Sequence, residues 1–519
     1  MKKAIYLIIA LIGLSAPSCS DSMLDFSPTD SGSGKELLKS ASTAITSVNG
    51  VYHSMWTAGW STTANTHQCF GIAAYNLALD CMADDLIMQS QGNGWFWGDH
   101  CYNVKSNYTS SAFRSYDVWY ANYKWIANVN YIIDAEPEMA GTEADVAYVA
   151  GQAYAIRALC YLNLATWFSR APYNSLTGAS RWNEPCVPVY TTGTSIDTGG
   201  QPRESLRTVY GRIDQDIDRA IELLEKARET TLAENNKSHI NLYVALGIKS
   251  RACLAEGDWD GAFKAAKRVI DEGGYAVGTK SDLTGGMNSL DKQNVMWGAG
   301  IQVADQAGGY AGFFTHMDNK EGAYAKSAPK LISKQLYNRI SATDIRRDWW
   351  DPSDKESPYV SKKFSFANVA SFLGDYIYMR VEEMYFTAAE AALRLDDLKS
   401  ARELMNTVMA ERDPGYSANN RSGTLLGATT TTWTGSFLEN ILTHRRIELW
   451  GEYGRLFDVR RLGQGIDRRT DDGFSEECIS MMNRRNVNIT KADTYDWVLT
   501  IPKAELDANP NINEEDQNP

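Results

Sequence analysis

Residues 242–271 read LYVALGIKSRACLAEGDWDGAFKAAKRVID, and residues 382–411 read EEMYFTAAEAALRLDDLKSARELMNTVMAE. Each stretch predicts a helix, a tight polar turn and a second helix. In the first, a helix runs from Leu242 to Glu256, a turn from Gly257 to Ala262, and a helix from Phe263 to Asp271. In the second, the boundaries are Glu382 to Leu395, Asp396 to Ala401, and Arg402 to Glu411. Apolar residues recur at helical spacing, and Ala stands where paired helices must approach closely. The two units decide the fold class, which is mainly α, with helix packed on helix.

Both units resemble the tetratricopeptide helical pair in partial form. They are far apart in sequence, so the chain is no simple solenoid. Three further segments extend the helical reading. Residues 116–135 place Trp119, Tyr123, Ile126, Tyr131 and Ile133 near helical spacing, and residues 144–168 form a long helix rich in small residues. Residues 204–228 put Val209, Ile213, Ile217, Ile221 and Leu224 on one face of an amphipathic helix. Pro172, Pro185 and Pro188 punctuate the loop before it. The expected architecture is a scaffold of helical pairs, with long irregular loops and a few short strands carrying a ligand site. The clearest loops are the Gly- and aromatic-rich residues 89–103 and 297–324, and the Ser/Thr/Gly/Asn stretch 413–436.

At the amino terminus, Lys2 and Lys3 precede an apolar run from Ala4 to Leu14 and then Ser15-Ala16-Pro17-Ser18-Cys19. The run is too short to span a bilayer and has the order of a secretory signal. Cleavage before Cys19 would resemble a bacterial lipoprotein signal, in which the cysteine carries the lipid. Ala16 and Pro17 depart from that pattern, and the alternative is a plain secretory signal cut nearby. Residues 1–18 are thus expected to be the signal, residues 19–35 a flexible tether, and residues 36–519 one globular domain. The lipid would be the only membrane contact, since no later segment is long and apolar enough to span.

Composition narrows the function classes. The net charge is −13, an acidic balance that argues against nucleic acid and anionic lipid as partners. Trp and Phe number 15 each beside 27 Tyr, an excess suited to ligand platforms as well as to cores. Among eight cysteines, Cys19 leaves an odd seven, so at least one stays free or pairs between molecules. A bridge among Cys69, Cys81 and Cys101 remains open at this point. There is no CxxC zinc pair, HExxH, GxSxG, P-loop or GxGxxG at a strand–helix junction. No catalytic residue, metal ligand or cofactor is expected. Asp80, Asp84 and Asp85 could hold a structural calcium, but their spacing lacks the EF-hand pattern, and turn or cap roles suit them better.

Several charged and Pro-containing segments then fall into order. They include Arg380-Val381-Glu382-Glu383 running to Ala388-Ala389-Glu390-Ala391, and Arg445-Arg446-Ile447-Glu448-Leu449 followed by Glu452, Gly454, Arg455, Asp458 and Arg461. The end carries Ile501-Pro502-Lys503-Ala504-Glu505-Leu506, Asn509-Pro510 and Gln517-Asn518-Pro519. With Cys19, Leu24-Asp25 and Pro28 at the start and Pro202-Arg203-Glu204-Ser205 opening a helix, the set resembles the SusD/RagB family of Bacteroidetes outer-membrane lipoproteins. His444 stands where that family usually has Glu. Each motif is weak alone, and the ordered set spans residues 19 to 519. On this resemblance the amino-terminal part runs over about 36–235 and the carboxy-terminal part over about 270–519. The charged motifs themselves read as ion pairs that fix helix packing.

The resemblance implies a non-enzymatic nutrient binder on the cell surface of a Gram-negative Bacteroidetes-type bacterium. Its ligand would be an oligosaccharide, and its partner a TonB-dependent, SusC-like β-barrel transporter. A peptide ligand is the alternative within the family, and a hydrolase or adhesin is the alternative outside it. A sugar site needs a flat aromatic platform and polar groups at its rim. Residues 91–100 supply Asn93, Trp95, Phe96, Trp97, Asp99 and His100 among three glycines. The family's ligand site draws rings from the first half and from the middle of the chain. Trp95 and Trp97 match the first group, while Trp297, Tyr310, Phe313, Phe314 and Tyr324 are candidates for the second. Trp349 and Trp350 read as core or loop anchors.

Overall fold

The computed structural model describes residues 34–57, 66–102, 113–195, 197–233, 237–302, 311–492 and 494–519. Cys19, the signal segment and Tyr310 lie outside the described residues. The principal helices are α1 (Ala41–Ser54), α2 (Ile72–Met82), the single turn α3 (Trp97–His100), α4 (Phe113–Ala135), α5 (Glu143–Phe168), α6 (Leu206–Lys226), α7 (Leu242–Glu256) and α8 (Trp259–Glu272). They continue as α9 (Val381–Arg394), α10 (Leu398–Ala410), α11 (Phe437–Glu448), α12 (Arg455–Leu462) and α13 (Lys503–Ala508). The fold is mainly α, as the helical units predict.

Side-chain caps set many of the helix starts. Thr142, Ser205, Asn241 and Ser436 each accept amide hydrogens from the first turn of the helix that follows. Caps also correct the turn boundaries in the two paired units. Asp258 accepts from the Gly261 amide at 3.0 Å, so α8 begins at Trp259 and the turn shrinks to Gly257 and Asp258. Asp397 does the same for Ser400 at 3.0 Å and starts α10 at Leu398. Polar residues that read as turn are therefore the first turn of each second helix.

Each helix from α4 to α8 packs on the next. The stack then crosses a long insertion, because α8 lies against α9 and α9 against α10. The two paired units, distant in sequence, are thus neighbours in space. Residues 273–380 leave the stack between them and supply most of the strands. β1 (Leu86–Met88), β3 (Lys330–Ile332), β4 (Trp350–Asp351) and β5 (Val360–Ser361) make a small antiparallel sheet in the order β1-β3-β5-β4. β2 (Val295–Ala299) and β6 (Tyr376–Arg380) form a bulged antiparallel ribbon that leads directly into α9. The pairing of Leu86 with Ile332 ties the first part of the chain to the second.

Buried ions tie the same parts together. Arg251 makes a bidentate pair with Glu383 at 2.8 and 2.7 Å, and Arg461 makes one with Glu390 at 2.9 and 2.8 Å. Arg445 reaches Asp458 at 2.8 Å. Arg446 and Arg455 meet Asp84 and Asp85 at 2.6 to 3.0 Å. Two guanidinium groups therefore stand beside the carboxylates considered for calcium. Burial opposes ionisation of Asp84, yet Arg455 and Arg446 hold it well below the usual carboxylate range. The seven cysteines from Cys69 to Cys478 are buried free thiols, so Cys69, Cys81 and Cys101 are not bridged to one another.

Asp80 behaves differently. Its Oδ1 accepts the Arg455 amide at 2.7 Å, and its buried Oδ2 has no hydrogen-bond partner among the described residues. Burial pushes this carboxyl up to about 8. The folded state then keeps a proton that the unfolded chain releases near pH 4, so the associated stability is full below about pH 4 and is lost as pH rises towards about 8. Asp472 (about 7) and Glu256 (about 8) act in the same direction. Urea midpoints are expected to fall between about pH 5 and about pH 8, and to fall less in Asp80→Asn than in wild type. Parallel slopes for the two proteins would refute this account of Asp80.

Candidate functional site

The loop between β1 and α3 carries Asn93, Trp95, Trp97 and Asp99, and tertiary contacts sort them into two groups. Gly92 adopts φ 50°, and a Cβ there would lie 2.7 Å from both Ala328 Cβ and Ser327 O. Only glycine lets this loop press so closely on residues 327–328. Ser327 Oγ donates to Asn93 Oδ1 at 2.8 Å, which leaves the exposed Asn93 amide at the rim. Trp95 is half-buried. Its indole stacks on His67 with ring centroids 4.9 Å apart and planes 17° from parallel. Tyr324 closes the group edge-on, 5.5 Å from His67 and 6.1 Å from Trp95.

This corner is rigid from behind. The Tyr324 hydroxyl bonds His67 Nδ1 at 2.5 Å, and His316 Nε2 meets the His67 carbonyl at 2.6 Å. Burial and the nearby Lys330 keep His316 well below the ordinary histidine range, so it is neutral and its Nε2 carries the donated hydrogen. The Phe96 amide donates to Gln68 Oε1 at 2.8 Å.

The rest of the loop turns inward. Trp97 is buried, and Phe96 and Asp99 are fully enclosed. Both Asp99 oxygens accept from Arg114, at 2.8 and 2.9 Å, and Arg114 also donates to the Gln68 carbonyl at 3.2 Å. Asp99 is therefore spent on anchoring the loop to the start of α4 and offers no free carboxylate to a ligand.

The middle-chain candidates divide likewise. Tyr324, though its side chain is mostly buried, joins the Trp95 corner. Phe313 and Phe314 are packed among Phe364, Phe366 and Tyr376. Trp297, on β2, is 1% exposed, its indole donating to the Ser238 carbonyl at 3.1 Å and its ring set against Tyr378. It backs a cavity of about 380 Å³, whose other walls include His53, Trp56, His239, Gln302 and Tyr378. The buried Tyr378 hydroxyl has no hydrogen-bond partner among the described residues. Trp349 and Trp350 are both core residues. Sequence reading missed His67, Trp56 and Tyr378. A histidine in THQCF carries no periodic signal, and its role arises only from the stack it makes.

The corner offers a ring face and an amide but no pair of free facing carboxylates among the residues named. It is suited to holding a ligand with an apolar face and hydroxyl groups.

Comparisons with known proteins agree with this architecture. A family model described as the SusD family matches residues 326–519, and one described as starch-binding, associating with the outer membrane, matches residues 71–254. No curated protein matches. A solved SusD-like carbohydrate-binding protein from Bacteroides vulgatus is 25% identical, with a TM-score of 0.72 over 92% of this chain and 98% of that one. A SusD superfamily protein from Bacteroides thetaiotaomicron is 22% identical, with a TM-score of 0.72 over 92% and 100% of the two chains. Surface glycan-binding protein A of Bacteroides thetaiotaomicron, solved with laminarihexaose, shares the fold at 16% identity, with a TM-score of 0.63 over 92% of this chain and 99% of that one.

Proposed function

This chain belongs to the SusD family, and from that premise we propose that it captures oligosaccharides at the outer surface of the outer membrane and passes them to a TonB-dependent β-barrel transporter. The observation that carries the reading is the Trp95–His67–Tyr324 corner with Asn93 at its rim. A sugar ring lays its C–H face on an indole and hydrogen-bonds through its hydroxyls, and the corner supplies one group of each kind. The protein would bind and release its cargo without cleaving it. Asp99, the carboxylate of the loop that carries Trp95, is saturated by Arg114.

A glycan array probed with the mature chain, beside a peptide library, tests the class of ligand. Retention of oligosaccharides and indifference to peptides is the expected result. Retention of peptides alone would replace sugar with the family's other ligand class.

Membrane attachment rests on Cys19. No helix among the described residues is long and apolar enough to cross a membrane. In this reading a diacylglycerol thioether on Cys19 holds the protein, with residues 20–35 as its leash. Cys19→Ala is expected to move the protein from the membrane pellet to the soluble fraction, as followed by fractionation and immunoblotting. Unchanged pelleting would refute lipid anchoring at this residue.

A further inference from the structure

A second ring-lined cleft lies on α4. Its cavity is about 470 Å³, walled by Trp119, Tyr120, Tyr123, Lys124, Tyr190 and Glu505. That volume is within the range of about 300–1,000 Å³ typical of small-ligand sites. None of these residues belongs to the Trp95 corner or to the cavity beside Trp297.

The rings are held before any ligand arrives. Tyr123 donates its hydroxyl hydrogen to the Pro188 carbonyl at 2.8 Å, and the Tyr190 hydroxyl accepts the Gln201 amide at 3.0 Å. Trp119 Nε1 donates to Glu505 Oε2 at 3.2 Å, which joins the floor of the cleft to α13. Trp119 and Tyr123 meet at 4.8 Å and 47°, and Tyr123 and Tyr190 at 5.9 Å and 89°, so the rings form a corner. Tyr116 stacks on Tyr120 at 5.6 Å and 10°, continuing the row along the helix.

The facing segment, residues 190–195, is strapped to the same helix. The Gly193 amide donates to Asp134 Oδ2 at 2.7 Å, and the Tyr131 hydroxyl donates to the Thr194 carbonyl. A Cβ on Gly193 would lie 2.6 Å from the Tyr131 ring, so glycine sets how tightly this wall closes. Such fixed walls reduce the ordering cost of binding.

The chemistry points to a particular ligand. Among the described lining residues the charged ones are Lys124 and Glu505, one of each sign, so they give the cleft no net charge to select an ion. Ring faces, the hydroxyls of Ser195 and Thr198 and the Lys124 ammonium match a molecule that is apolar on its faces and hydroxylated at its edge, while Glu505 is held by Trp119 on one oxygen and by Asn509 on the other at 2.8 Å. We propose that this cleft is a second binding site for a neutral saccharide, separate from the loop face, so that one molecule engages a glycan at two places. The inference rests on the proposed function. Engagement of both sites by one long chain would raise retention through effective concentration, with no new contact.

The test is calorimetric titration of the full mature chain with maltohexaose, laminarihexaose, cellohexaose, xylohexaose and mannohexaose. Three further proteins are compared: Trp95→Ala, Tyr120→Ala/Lys124→Ala, and the triple variant. Tyr120 is half-buried and Lys124 exposed, so the paired substitution should leave the melting temperature near that of wild type. Two sites per chain are expected for at least one hexaose in wild type, one in each partial variant and none in the triple variant. If Trp95→Ala abolishes all binding while Tyr120→Ala/Lys124→Ala matches wild type in stoichiometry and affinity, the second site is overturned and the proposed function stands. A wild-type chain that binds none of the five overturns both. If Tyr120→Ala/Lys124→Ala loses stability, Glu505→Gln decides in its place, with loss of one site expected and unchanged stoichiometry overturning the proposal.

Discussion

Glu448→Gln is expected to cost about 3–5 kcal/mol of stability, a large share of the roughly 5–15 kcal/mol by which folded domains exceed their unfolded states. Glu448 ends α11 in full burial. Its carboxylate accepts from Arg346, Arg380 and Arg412 at 2.9 to 3.0 Å, and its backbone carbonyl accepts from Lys363 at 2.7 Å and Arg380 at 3.1 Å. Glu452 takes Arg380 and Lys363, Glu382 takes Arg412, and Asp344 takes Arg346. Four cations thus face four carboxylates. Burial works against the ionised form of Glu448, but Arg412, Arg380 and Arg346 hold it well below the usual glutamate range.

The glutamine isostere keeps the shape and deletes one charge, leaving an uncompensated cation with little access to water. Arg412→Met/Glu448→Leu removes one charge of each sign and should be less harmful than Glu448→Gln alone. Urea unfolding of both variants checks the pair. A Glu448→Gln loss below about 1 kcal/mol would show that the cluster relaxes or admits water, contrary to this account.

Trp95→Ala is expected to weaken glycan binding by about 2 kcal/mol or more, roughly thirtyfold, with little change in melting temperature. The indole has one face on His67 and is half-buried, so its removal opens no closed cavity in the core. Trp97→Ala makes the informative contrast. That ring is 3% exposed, and its removal should cost about 3–5 kcal/mol of stability through the void it leaves. Titration with the hexaose that wild type binds, alongside thermal melts, separates the two. Equal affinity for Trp95→Ala and wild type would remove this corner as the ligand site.

Trp95 and Trp97 also show where sequence reading stops. They sit two residues apart in one Gly-rich loop, and composition makes them equivalent. Which one faces solvent depends on Gln68, Arg114 and His67, which grip the loop from other segments. Asp99 looked like a rim carboxylate for the same reason, and Arg114, fifteen positions later in the chain, encloses it. Trp297 and Phe313 have the residue type of a platform and the surroundings of a core.

The helical scaffold was legible in the sequence because helix formation is local. Periodic apolar residues, Ala at close contacts and Asp, Ser, Thr or Asn caps act within one or two turns of themselves. The charged motifs were legible too, since Arg and Glu spaced along α9, α11 and α12 must be paired if those helices are buried. The stacking of the two paired units across residues 273–380, the partner of each ion and the ring left at the surface were decided only by tertiary structure. Burial is a property of contacts between distant segments, and a single stretch of chain does not contain the segment that will cover it.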